Sequence, residues 1–113
     1  MSTTYDYLNT LILSFEDNYH LPLLAAVNTA HMTGSAENLI EACNATDRAI
    51  EALLMIQDVA LSQMENASPP LSDDQAWEVA NTLEELTSSL QYITAELAEL
   101  SLDIAEEYAG CDE

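Results

Sequence analysis

From Val79 to Ile104 the apolar residues Val79, Leu83, Leu86, Leu90, Ile93, Leu97, Leu100 and Ile104 follow one another in steps of four and three, without one polar interruption. That spacing keeps side chains on one stripe of an α-helix, whereas a half-buried strand would alternate by two. Four heptads of it describe a long helix that packs along its length on another helix, in a hairpin roughly 45–50 Å long at 1.5 Å per residue. No competing pattern exists. β-branched and aromatic runs are scarce, and only two glycines and three prolines interrupt the chain. The expected fold class is all-α.

Punctuation places the other helices. Ser72-Asp73-Asp74-Gln75 is a capping box, Ser three residues before Gln, and it sets carboxylates at the positive end of the helix dipole. Ser68-Pro69-Pro70-Leu71 reads as a loop. Upstream, Ser35 caps a third helix over about 36–65. Its seam reads Leu39, Cys43, Thr46, Ile50, Leu53, Gln57, Ala60 and Met64, widened by Ile40, Leu54 and Leu61. Tyr5, Leu8, Leu11, Ile12 and Phe15 give a first helix over about 4–17, and Asn18-Tyr19-His20 reads as a break. Pro22 suits the first turn of a second helix with Leu23, Leu24, Val27 and Ala30, ended by Gly34, as Gly110 ends the fourth. The expectation is one domain over 1–113: a long antiparallel helical hairpin with two shorter N-terminal helices, four-helix-bundle-like. A hairpin leaves apolar surface open, and a homodimer is one way to cover it.

Charge narrows the function. The chain has twenty-one Asp and Glu against a single basic side chain, Arg48, a formal net charge of −20. Disordered acidic segments lack apolar residues, but this chain is 49% hydrophobic and should fold. With almost no cations to pair them, the carboxylates form a solvated anionic field that attracts basic partners and repels nucleic acid and anionic membrane. On the fourth helix Glu96, Glu99, Asp103 and Glu106 form a stripe beside the seam. Glu78 and Glu85 extend it, and Tyr92 fills the place between Glu85 and Glu99. Glu37, Glu41, Glu51, Asp58 and Glu65 lie opposite the seam of the third helix, and Glu107, Asp112 and Glu113 make the C-terminus acidic. Like charges at i and i+4 weaken a helix by a few tenths of a kcal/mol each. Selection for stability alone would have placed lysines here, so the negative field itself is the expected function. Tyr92, an aromatic inside the acidic line, is the expected interface anchor.

Catalytic and metal chemistry find no support. His20 and His31 have no carboxylate or cysteine at ligand spacing, and Glu96-Glu99 lacks the Glu-x-x-His partner of di-iron bundles. Calcium-loop, phosphate-loop and nucleophile-elbow patterns are absent. Cys43 and Cys111 show no redox or metal spacing. No apolar run approaches the ~18 residues of a membrane span, and the N-terminus lacks the basic start of a secretory signal. The reading is a non-enzyme without cofactor or metal, working in the cytoplasm, with no direct nucleic-acid or membrane contact.

With its −20 charge, lone Arg48 and helical stripe Glu96, Glu99, Asp103 and Glu106, the chain resembles the small acidic DNA-mimic proteins that phages and other mobile elements use against host defences. The resemblance is of class, over the whole chain, and carries no shared motif. It implies an inhibitor that occupies the nucleic-acid-binding surface of a basic host protein, such as a restriction enzyme or a CRISPR effector. Two other classes share the charge: an immunity protein or antitoxin against a basic nuclease, and a small acidic secretion or assembly chaperone. Adaptation to high salt also yields acidic surfaces.

Overall fold

The computed structural model describes residues 3–111: α1 (Thr3–Phe15), a π-helical turn (Glu16–His20), α2 (Leu21–Thr33), α3 (Ala36–Asn66) and α4 (Asp73–Cys111). The fold is all-helical, with no strand among the described residues. Asp112 and Glu113 of the acidic C-terminus lie outside them.

The expected break at Asn18-Tyr19-His20 is instead a widened helical turn. Pro22 has no N–H for the carbonyl four residues back, and its ring crowds that carbonyl. The turn before it accommodates this: the Leu21 N–H bonds to the Glu16 carbonyl, one residue further back than in an α-helix. Phe15, His20 and Leu21 all keep right-handed helical dihedrals. The first two expected helices are therefore one rod, and the bundle has three rods where four elements were expected.

Gly34 ends this rod in the left-handed conformation, φ 60° and ψ 20°, with its N–H on the Ala30 carbonyl at 2.9 Å. Ser35 then caps α3, its Oγ accepting from the Asn38 N–H at 3.4 Å. A Cβ at Gly34 would meet nothing within 4 Å, so substitution there tests the backbone alone. Gly34→Ala should cost about 1 kcal/mol and Gly34→Asn less, read from urea midpoints. An alanine variant as stable as wild type would contradict the left-handed cap.

The capping box of α4 forms as expected: Ser72 Oγ accepts from the Gln75 N–H at 3.1 Å, and Gln75 Oε1 from the Ser72 N–H at 3.2 Å. Gly110 does not end α4, which continues to Cys111. Gln57 Nε2 donates to Thr87 Oγ1 at 2.9 Å, Ile50 lies opposite Thr94, and Met64 opposite Ala80. Residue numbers rise on one helix as they fall on the other, so α3 and α4 are antiparallel. Tyr5 hydrogen-bonds Glu78, and His20 Nε2 lies 3.1 Å from Ser89 Oγ, so the first rod runs parallel to α4. The result is an up-down-up bundle of 67 × 18 × 17 Å.

Its core takes Leu8, Ile12, Phe15, Leu23, Val27 and Ala30 from the first rod. From α4 it takes the expected seam, with Leu100 half-buried. The seam of α3 is rotated from its expected line. Ala42 and Ala49 are fully buried, Cys43 is exposed, and Ile50, Gln57 and Met64 are half-buried. α3 packs on both other rods, and alanine lets two helices approach it closely. Thr46 is buried with its hydroxyl donating to the Ala42 carbonyl at 2.8 Å. Ile40, Leu54 and Leu61, expected to widen the core stripe, remain 60, 56 and 59% exposed. The first rod covers one flank of the α3/α4 hairpin and leaves the other open.

Candidate functional site

α4 presents its expected carboxylates on one continuous helix face. Glu78, Glu85, Glu99, Asp103 and Glu106 are exposed, and Glu96 is half-buried. The stripe borders the first rod, since Tyr5 Oη donates to a carboxylate oxygen of Glu78. The α3 carboxylates Glu37, Glu41, Glu51 and Asp58 are all exposed, but they do not join the α4 set. Glu41 borders α2 beside Ala26 and Thr29, and Glu51 shares a shallow groove with Tyr19, Arg48 and Met55. Asp58, four residues after Leu54 and three before Leu61, lies on the open flank. The first rod thus lies between two acidic borders, one from α4 and one from α3. The lone cation sits on the α3 border, away from the α4 stripe.

Two tyrosines are tied into the field. Tyr92, 67% exposed, has its pKa raised above 10.0, chiefly by its hydrogen bond to Glu96, then by the negative charges of Glu96 and Glu99. Tyr5 is raised likewise, first by its hydrogen bond to Glu78. In both, the neutral hydroxyl is the form the fold favours. Their contribution is therefore complete below pH 10.0 and is lost as pH rises through the raised value. Glu96→Gln should bring the Tyr92 titration down toward 10.0, followed by NMR of ring-labelled tyrosine. An unmoved Tyr92 would break its assignment to this carboxylate.

The sequence pointed to apolar surface left open on the hairpin, but placed Leu54 and Leu61 in the core stripe rather than on that open flank. Ile50, Leu53, Leu54, Gln57, Thr87, Leu90, Gln91 and Thr94 line one hollow of 290 Å³. An adjoining one of 380 Å³ shares Gln57 and Thr87 and reaches Leu61, Met64, Ala80 and Glu84. The available signal was width: an apolar stripe spanning Ile40, Ile50, Leu54 and Leu61 is broader than one packing partner needs.

Among the described residues no three His, Cys, Asp or Glu side chains are grouped to hold a metal ion. No helix among the described residues is long and apolar enough to cross a membrane. No protein-family model, no curated protein sequence and no solved structure matches the chain.

Proposed function

We infer that this protein is a non-enzymatic inhibitor that sets carboxylates where a nucleic acid would set phosphates, and so occupies the binding surface of a basic nucleic-acid-handling protein in the cytoplasm. One observation carries the reading: a rod 67 Å long bears acidic borders on two sides and one basic side chain in all. Its length equals about 20 base pairs at 3.4 Å rise. A net −20 along it is roughly one charge per 3.4 Å, about half the linear density of duplex DNA. Helices hold this array in place, so the partner need not order it on binding. Association is steered by long-range attraction and weakens steeply with salt.

The same unpaired charge makes a prediction for the free protein. Self-repulsion opposes the compact state, so raising NaCl from about 20 to about 500 mM should raise Tm by several degrees. A Tm indifferent to salt would contradict a field of uncompensated carboxylates.

Affinity capture tests the reading itself. The immobilised protein is exposed to nuclease-treated bacterial lysate at low salt and then eluted with duplex DNA or with added salt. A nucleic-acid-binding enzyme released by both is the expected result. Partners that stay through salt and ignore the duplex would overturn it, and would favour a chaperone that binds through apolar surface.

A further inference from the structure

We propose that the open α3/α4 groove binds one basic amphipathic helix of a partner protein, in the place a fourth helix of the bundle would occupy. This goes beyond the mimic reading and is separable from it, because the α4 acidic stripe borders the first rod while the groove lies on the hairpin's other flank.

The floor of the groove is apolar. Leu54 and Leu61 are 56 and 59% exposed, and Ile50, Leu53, Met64, Leu83 and Leu90 lie beneath and between them. Thr87 and Thr94 donate their hydroxyls to the Leu83 and Leu90 carbonyls of their own helix at 2.9 and 2.8 Å, and Thr87 Oγ1 also accepts from Gln57 Nε2 at 2.9 Å, so both hydroxyl protons are already used within the fold. From Ile50 to Met64 the floor runs about 21 Å, enough for a helix of some 14 residues. The facing Ala80 and Thr87 are small, which allows close approach of another helix.

The rim decides the occupant. Asp47 lies on the line Ile40, Leu54 and Leu61 at seven-residue spacing, Asp58 lies between the two leucines, and Glu65 follows Leu61 by four. Glu84 lines the α4 side. The one basic residue, Arg48, is in a different groove beside Tyr19 and Met55. A second copy of this chain would bring the same carboxylates face to face with no cation between them. A neutral helix would cover the rim and leave its charges unpaired. A helix with a leucine face flanked by Lys or Arg satisfies both floor and rim.

The test uses three labelled synthetic helices of about 18 residues. One has a Leu face with Lys flanks, one the same face with Glu flanks, and one Lys flanks with Ser replacing Leu. Binding to the 113-residue chain is followed by fluorescence anisotropy at physiological salt. The Leu/Lys helix should bind, and the other two at least about tenfold more weakly. Leu54→Gln with Leu61→Gln should weaken it about tenfold, while Leu13→Gln, an exposed leucine elsewhere, leaves it unchanged. Both groove leucines are already exposed, so these variants should melt like wild type. Glu84→Lys should shift preference from the Lys-flanked toward the Glu-flanked helix. Equal binding of the Ser/Lys helix, or binding untouched by the groove variants, would overturn the proposal. So would a dimer in sedimentation that the two glutamine substitutions dissociate, since a second copy would then fill the groove. None of these outcomes depends on whether duplex DNA competes at the acidic stripe.

Discussion

Glu96→Gln, Glu99→Gln and Asp103→Asn together are expected to weaken binding to the nucleic-acid-handling target by about a hundredfold or more, with no loss of stability. Charge-assisted hydrogen bonds contribute about 1.5–3 kcal/mol each, and each 1.4 kcal/mol is tenfold in affinity. Two of three such bonds lost would produce the effect. The same change relieves repulsion between neighbours three and four apart on α4, so Tm should hold or rise slightly. The pairing of lost affinity with kept stability separates a binding role from a structural one, and unchanged affinity would remove the stripe from the interface.

Phe15→Ala should have the largest effect on the fold. Phe15 is 1% exposed and heads the largest fully buried side chains. It stacks on Tyr19 at 5.9 Å and on His20 at 6.3 Å, so it anchors the π-helical turn as well as the core. Buried Phe→Ala changes cost about 3–5 kcal/mol through lost burial and the cavity left behind. Domains of this size hold only about 5–15 kcal/mol, and this one also carries uncompensated repulsion. The variant should lose about 15 °C or more in Tm by circular dichroism. A drop of a degree or two would mean that the first rod is not seated as described.

The sequence made different parts of this molecule legible for different reasons. The α4 seam was read correctly because each position from Val79 to Ile104 is a large aliphatic with polar neighbours, which leaves one possible face. The caps at Ser35 and Ser72 followed from local chemistry that tertiary contacts do not alter. α3 misled because its apolar stripe is wider than its packing. Large Ile40 and Leu54 pull the expected seam one way, while the contacts of two rods select Ala42 and Ala49. Hydropathy patterns weigh bulk, and close helix packing selects smallness. The Asn18-Tyr19-His20 segment misled differently: polar residues before Pro22 fit a loop or a π-turn equally well, and the Phe15 stack that favours continuity is visible only in three dimensions. That the α4 carboxylates share one helix face could be read from the sequence. The division of the acidic residues into two borders around the first rod depended on where that rod packs.

The most direct test of the central claim is a competition measurement on the target that affinity capture recovers. A labelled duplex of about 20 base pairs, the length of the rod, is bound to the target, and this protein is titrated in at several salt concentrations. Mimicry predicts full displacement of the duplex, and a displacing affinity that falls linearly with log salt. A stable ternary complex with duplex still bound, or an affinity insensitive to salt, would contradict it.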